Sequence, residues 1–284
     1  MADLFVSDFS GGIVTISNQR EIMTEMVKYF TSLPENEGPL EWLAEERHLP
    51  LSILKEHDVF FIDEDVTRSS IPEKYWDETL GLCKWKYIIY AGRIVYPVKS
   101  PTGLVMGLCG WTKDEGEVKY LDSKNYGYKA KYNTMYGMEK LLEYYKSADS
   151  VFLVEGIVDC LFLRSLGLKA FALLGSLLTS YIITILSRFG ERLIVFPDND
   201  NFKGEAEDKT AGEGFAKQVF YKLPKARVYQ TISAKDLDDV VRVSEEKRQS
   251  LVDDLLNIDN IFYDFKEIRQ RVKPTWRKIG YGKV

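Results

Sequence analysis

Hydrophobic and polar positions change their rhythm along the chain. From Asn18 to Phe30 apolar residues recur at helical spacing, and the pattern stops at the turn-rich stretch Ser32–Leu33–Pro34–Glu35–Asn36–Glu37–Gly38–Pro39. A second helix is predicted from near Leu40, with short helical pieces leading to Asp58. From Lys86 to Gly110 the texture becomes β-branched and aromatic. Tyr87–Tyr90, Arg93–Val98 and Leu104–Leu108, separated by Ala91–Gly92 and Ser100–Gly103, predict antiparallel strands joined by tight turns.

After Ser147 continuous apolar runs alternate with helical stretches. Val151–Val154 leads into Glu155–Gly156 and a helix over Ile157–Leu166, closed by Gly167; Ala170–Leu174 leads into Gly175–Ser176 and a helix over Thr179–Phe189. Leu193–Phe196 ends in Pro197–Asp198–Asn199–Asp200. A helix from about Ala211 to Leu223, a strand over Arg227–Gln230 and the run Lys235–Asp236–Leu237–Asp238–Asp239 complete the series. Strands that are apolar throughout are buried on both faces, and their alternation with helices makes them parallel. The predicted fold class is α/β plus α+β: a mixed α+β lobe over 1–147, a mostly parallel sheet with flanking helices over 148–243, and a helical, then basic, segment over 244–284. From Lys266 to Val284 seven cations stand against Glu267 alone.

The length of 284 residues exceeds a typical domain of about 150 and agrees with two lobes. Hydrophobic residues at 45% suffice for a core, and 29% charged residues do not indicate wholesale disorder. No run approaches the roughly 18 apolar residues of a membrane span, and Met1–Ser10 carries two Asp before any cation; no membrane partner and a cytoplasmic setting are expected. Cys83, Cys109 and Cys160 are widely spaced and odd in number, which supports reduced, buried thiols over a disulfide framework or a four-ligand zinc site. The net charge of −5 excludes a wholly basic nucleic-acid binder. It leaves open an enzyme whose basic groove is offset by acids elsewhere.

In an open parallel sheet, ligands sit beyond the carboxyl ends of the strands. Glu155 follows one strand there, and Asp198 and Asp200 follow another. Asp159 lies one helical turn after Glu155, and Asp236 and Asp238 repeat the Asp-x-Asp spacing after the fourth strand. Six carboxylates are thus expected at one edge. Like charges this close raise each other's pKa, and a bound Mg²⁺ or Mn²⁺ relieves the repulsion, because these ions favour oxygen ligands. Two such ions can activate a hydroxyl and stabilise a leaving oxygen in phosphoryl transfer. Taken singly, each acid also reads as an ordinary loop residue or helix cap.

The constellation resembles the Toprim domain shared by bacterial-type primases, topoisomerases and some nucleases. Its signature is a Glu-Gly after the first strand and an Asp-x-Asp after the third, here Glu155–Gly156 and Asp198–Asn199–Asp200. Gly175–Ser176 fits the turn after the second strand, and Ala211–Gly212 matches the family's helix-opening Ala-Gly after a polar insertion at 201–210. Upstream, Lys119–Tyr120–Leu121–Asp122–Ser123 resembles the Lys-Tyr-Leu-Asn-Ser of the bacterial-type (DnaG-type) primase catalytic core, Lys131 falls at the spacing of its next Lys, and Tyr136–Gly137 matches its Tyr-Gly. Arg93–Val98 looks like its Arg-hydrophobic-x-(Phe/Tyr)-Pro-hydrophobic strand. The resemblance covers roughly Glu41 to Val241. It departs at Gly110–Trp111, where relatives usually carry Gly-Arg, and no Cys precedes Cys83, where a zinc ribbon would stand, so no zinc is expected. Such compactness would suit a phage or mobile-element enzyme.

The resemblance implies a DNA primase, a DNA-directed RNA polymerase that makes short primers from NTPs on a single-stranded DNA template by nucleotidyl transfer. It implies Glu155, Asp198, Asp200, Lys119 and Lys131 as catalytic residues. Glu155, Asp159, Asp198, Asp200, Asp236 and Asp238 would hold two or more Mg²⁺ or Mn²⁺ ions. Arg93, Lys119, Lys131 and Tyr120 would bind nucleotide or nucleic acid, with Lys113, Lys124 and Lys129 in support. Tyr126, Tyr128, Tyr132 and Tyr136 read either as base-stacking residues or as core. A replicative helicase is a candidate partner. Two other readings stand: a Toprim-type nuclease that needs no NTPs, and a non-catalytic nucleic-acid-binding Toprim protein. The tail, with Trp276 and Tyr281 among its cations, reads equally as a nucleic-acid contact or a solvated end.

Overall fold

The computed structural model describes residues 5–7, 13–114, 116–122, 124–125, 128–129, 134–175, 177–199, 211–231, 234–243, 245–256 and 265–267. They fall into two compact units, one of residues 1–134 with 138–140, the other of 135–137 with 141–284.

The first unit opens with a short hairpin, β1 (Phe5–Ser7) and β2 (Ile13–Thr15), and runs into helix α1 (Ile16–Thr31). Met23, Met26, Val27 and Phe30 are buried at helical spacing and form the stripe that α1 contributes to the core. Helices α2 (Glu37–Glu46) and α3 (Leu51–Glu56) follow. Gly38 and Pro39, expected in the turn, lie instead in the first turn of α2, where a proline's missing N–H is no loss. Asn36 makes the turn before it. Its buried side chain donates to the carbonyls of Phe30 (2.5 Å) and Leu33 (2.9 Å) and accepts from the Phe61 N–H (2.5 Å).

The four-stranded antiparallel sheet of this unit has the order β3 (Phe60–Ile62), β6 (Arg93–Lys99), β7 (Val105–Trp111), β8 (Tyr120–Asp122). The β6–β7 hairpin is the expected one, turning at Ser100–Leu104 with Gly103 at φ +84°. Tyr87–Tyr90 corrects the sequence expectation. Only Tyr87–Ile88 is a strand (β5), and it pairs with β4 (Cys83–Lys84), outside the sheet. Gly92 at φ +72° and the bond from the Arg93 N–H to the Tyr90 carbonyl (3.1 Å) turn the chain, so the run cannot continue into β6. A further ladder joins β9 (Lys124–Asn125) and β10 (Tyr128–Lys129).

In the second unit the sheet order is β12 (Lys169–Ala172), β11 (Val151–Val154), β13 (Leu193–Phe196), β14 (Arg227–Thr231), β15 (Phe265–Glu267). The first four are parallel, as their apolar runs imply, and β15 is antiparallel to β14. A strand in the tail was not expected. Short helix α4 (Leu141–Lys146) precedes β11, and α5 (Ile157–Ser165), α6 (Ser180–Leu186), α7 (Ala211–Lys222), α8 (Leu237–Val243) and α9 (Glu245–Leu256) complete the unit. The sequence boundary at 147 lies late by comparison. Tyr136 already bridges to Ala172 of β12, and the Tyr144 ring of α4 packs 5.1 Å from that of Phe171, which draws both into the second unit.

Chain order against spatial order locates the crevice. The chain runs from β11 out to β12 on one side and returns to β13 on the other, so the connections diverge at β11 and β13 and open a mouth beyond their carboxyl ends. Cys83, Cys109 and Cys160 are free and buried, and among the described residues no helix is long and apolar enough to cross a membrane.

Candidate metal centre

Glu155 directly follows β11 and Asp198 follows β13 by one residue after Pro197, so adjacent parallel strands deliver both to the mouth. Glu155 Oε1 accepts the Asp198 N–H at 3.1 Å, which ties the two strand ends together. Asn199, the middle residue of the Asp-x-Asp, fastens this loop to the next: its N–H donates to the Lys235 carbonyl (2.6 Å) and its amide to the Thr231 carbonyl (3.0 Å). Lys235 Nζ lies 3.8 Å from Asp198 Oδ2.

Asp159 sits in the first turn of α5, 6% exposed. Its Oδ1 accepts the Asp238 N–H at 2.8 Å, so α5 and α8 meet at this carboxyl. Gly156, which caps α5, lies against the same side chain. A Cβ there would overlap Asp159 Oδ2 and stand 3.5 Å from Cγ, although φ −91° and ψ 144° suit any residue. The glycine of the Glu-Gly pair thus clears room for a carboxylate rather than relieving the backbone.

Asp236 and Asp238 flank the start of α8, and Asp236 Oδ1 caps the helix by accepting the Asp239 N–H at 2.8 Å. Asp239, unassigned in the sequence reading, belongs to the group: one oxygen from each of Asp236, Asp238 and Asp239 lie within 4.8 Å of one another. Three acids within four residues at a helix start are the signal that could have revealed it. Arg242, one turn on, lies 2.7 Å from Asp239 and 3.3 Å from Asp238 and offsets part of their charge.

Burial pushes the Asp159 carboxyl well above the usual range, and the charges of Asp236, Asp198 and Asp238 push it further, against the bond from the Asp238 N–H. Asp236 is also raised, by burial first and then by Asp239 and Asp238, while the bond from Asp239 and the charge of Lys235 oppose the shift. A cleft of about 10 Å³ lies among Asp159, Asp198, Thr231 and Asp236. That is about the space of one water molecule. All-oxygen donors, mutual repulsion and a space of this size fit a small hard divalent cation. Asp200 lies outside the described residues, as does the 201–210 insertion.

The residues expected to bind nucleotides belong to the first unit. Lys119 and Tyr120 are exposed at the start of β8, with Lys119 Nζ 5.9 Å from the Tyr120 ring centre. Arg93 has another task. Its side chain is 6% exposed, and its guanidinium donates to the Val118 carbonyl at 2.8 Å and pairs with Glu117, holding the segment that leads to Lys119. Lys131 lies outside the described residues, and Tyr136 is buried core. Lys113 lies 4.7 Å over the ring of Trp42. Trp111, where the resemblance implies an Arg, is buried and stacked on Trp42 at 6.0 Å, with Arg47 5.4 Å from its ring.

Tyr136–Gly137 also has a physical basis within the second unit. Gly137 adopts φ +92°, and a Cβ there would meet Arg164 Cζ at 2.9 Å and the Ala170 carbonyl at 3.1 Å. Buried Arg164 donates to the carbonyls of Gly137 (2.8 Å) and Ala170 (3.0 Å) and locks this segment against β12.

Comparison with known proteins agrees with this geometry. Residues 152–241 match the Toprim-like family. The chain is 29% identical over 154 residues to a DNA primase of Staphylococcus epidermidis, covering 54% of this chain and 25% of that protein. It is 27% identical over 178 residues to a DNA primase of Clostridium acetobutylicum, covering 61% and 28%. The matches thus span only about a quarter of these relatives' own length. A structure of the DnaG primase catalytic domain bound to single-stranded DNA superposes with a TM-score of 0.66 at 20% identity, over 83% of this chain and 80% of that one, and the fold is the same.

Proposed function

We propose that this chain, a homologue of DnaG-type primase catalytic cores carrying a Toprim domain, is itself a DNA primase that makes short RNA primers from NTPs on single-stranded DNA. One observation carries the reading. Glu155, Asp159, Asp198, Asp236 and Asp238 converge beyond the ends of parallel strands and interlock through the bonds Asp198 N–H to Glu155 and Asp238 N–H to Asp159. The relatives' names point the same way: both are DNA primases, and the superposed domain is bound to single-stranded DNA.

In this reading Glu155, Asp198 and Asp200 hold the catalytic Mg²⁺ or Mn²⁺, and Asp159, Asp236 and Asp238 support that ion or bind a second. Bound ions of this kind supply Lewis acidity, favouring the ionised primer 3′-hydroxyl and neutralising the departing pyrophosphate. The protein's own part is placement. Asn199 anchors the Asp198 loop, Gly156 leaves space for Asp159, and Lys235 balances the charge of Asp198. Lys119, exposed and compact in charge, holds phosphate together with Lys131, and Tyr120 offers a ring beside it. Arg93 positions the Glu117–Val118 segment before Lys119 rather than touching phosphate.

Incorporation of labelled NTPs on single-stranded DNA with Mg²⁺ or Mn²⁺ tests the proposal. Loss of incorporation is expected in the double variant Asp198→Ala, Asp200→Ala, and undiminished activity would refute the metal assignment. Cleavage of DNA without NTPs, in place of primer synthesis, would transfer the site to a nuclease.

A further inference from the structure

The β4–β5 hairpin is a short finger with no part in the centre above. Cys83 and Ile88 are buried at its base, whereas Lys84, Trp85, Lys86 and Tyr87 are all exposed. Trp85 and Tyr87 are 72% and 75% exposed, the most exposed aromatic side chains among the described residues. Large apolar surface of this kind, alternating with lysines, is unfavourable in water unless something covers it.

The backbone adds a second observation. The register Lys84↔Tyr87 leaves Trp85 and Lys86 as a two-residue turn, and Trp85 occupies its first position at φ +57°. Glycine is the residue for that conformation, and an aromatic there is strained. Neighbouring residues hold it regardless. The Trp85 N–H donates to Glu78 Oε1 at 2.8 Å, and its carbonyl accepts from the Arg68 guanidinium, which is itself seated 5.0 Å from the Trp76 ring. Both backbone polar groups of a strained residue are therefore fixed while its indole is left in solvent. An outlier braced in this way marks a side chain whose presentation matters.

We infer that the Lys84–Trp85–Lys86–Tyr87 fingertip is a contact for single-stranded nucleic acid, the two rings stacking on bases and the two lysines neutralising phosphates. Charge decides the occupant. A stacking surface flanked by Lys84 and Lys86 complements a polyanion of flat bases, whereas an apolar protein partner would leave both ammonium groups against it. The inference rests on the proposed function only for the kind of ligand, since the hairpin lies outside the carboxylate cluster.

Trp85→Gly with Tyr87→Thr removes both rings while suiting the turn and the strand, so the variant is expected to fold. Binding of the full chain to fluorescein-labelled oligothymidylate of about 20 nucleotides, followed by anisotropy in EDTA, excludes the metal centre from the readout. A stacked base contributes enough that losing both contacts is expected to weaken binding at least about tenfold. Lys84→Gln with Lys86→Gln is expected to shallow the slope of log affinity against log salt by about 1.4, two phosphate contacts on a single strand. Affinity within twofold of the parent together with an unchanged slope would overturn the inference, as would a parent that binds no oligonucleotide. Unchanged DNA affinity with loss of self-association in sedimentation would overturn it in favour of a protein contact. Hairpin-dependent binding by a chain that makes no primers would uphold it while refuting the proposed activity.

Discussion

Gly156→Ala is the sharpest probe of the carboxylate cluster, because the backbone at this position is ordinary and the crowding is not. Alanine at a helix cap in place of glycine costs roughly 0.5–1 kcal/mol. The remainder comes from Asp159, whose Oδ2 occupies the volume of the new methyl group while its Oδ1 is held by the Asp238 N–H at 2.8 Å. The carboxyl cannot swing away without breaking that bond inside a buried site, at about 1–3 kcal/mol. The total is about 1.5–4 kcal/mol, and only the second part depends on Asp159. Urea unfolding in EDTA, followed by tryptophan fluorescence, closes a cycle of Gly156→Ala, Asp159→Ala and the double variant. A coupling of about 1–3 kcal/mol is expected, with Gly156→Ala costing no more than the cap once Asp159 is gone. Equal cost in both backgrounds, within about 0.5 kcal/mol, would refute the claim that the Glu-Gly glycine exists to admit the aspartate.

Asp159 and Asp236 are raised in the folded state, so the folded protein holds protons that the unfolded chain has released; in EDTA, stability is expected to fall as pH rises from the ordinary carboxylate range through the folded pKa values. Asp159→Asn keeps an oxygen for the Asp238 N–H and should flatten that fall, while added Mg²⁺ should raise the melting temperature of the parent more at higher pH, both read by thermal unfolding across pH. A parent curve that rises with pH over this interval in EDTA would contradict the direction of the shifts. Gly137→Ala is expected to cost about 3–5 kcal/mol in urea unfolding, since it combines left-handed backbone with displacement of the buried Arg164 guanidinium from two carbonyls. Arg93→Lys removes the fork that reaches Val118 and Glu117 and should lower stability by about 1–3 kcal/mol with oligonucleotide affinity little changed; the reverse outcome would make Arg93 a phosphate ligand.

What was legible in the sequence divides along a physical line. Val151–Val154 and Leu193–Phe196 are apolar throughout, and burial on both faces leaves such runs few alternatives to central parallel strands, so Glu155 and Asp198 fell at strand ends by inspection. Tyr87–Tyr90 misled because β propensity is local while pairing is not. The run is strand-like, yet the turns at Trp85–Lys86 and Gly92 give half of it to a different partner. β15 escaped for the opposite reason: Phe265–Lys266–Glu267 carries only three residues of pattern, and the β14 edge decides its state.

The same line runs through the site. Residue types and spacing identified the acids, but the tasks of their neighbours come from contacts that spacing cannot encode. Arg93 matched a phosphate-binding motif and instead fastens Glu117 and Val118, because a strand buried on both faces turns its guanidinium inward to the nearest carbonyl and carboxylate. Asp239 falls outside the Asp-x-Asp spacing, which selects Asp236 and Asp238 alone, whereas the helix starting at Leu237 brings one of its oxygens within 4.8 Å of theirs. Glycines gave the most compact message of all. Gly156 and Gly137 look alike in sequence, but one clears a volume for a carboxylate and the other both adopts a left-handed backbone and clears a guanidinium. These two glycines each mark the side chain that occupies the volume of the absent Cβ, and Asp159 and Arg164 belong to the two motifs as fully as the glycines that admit them.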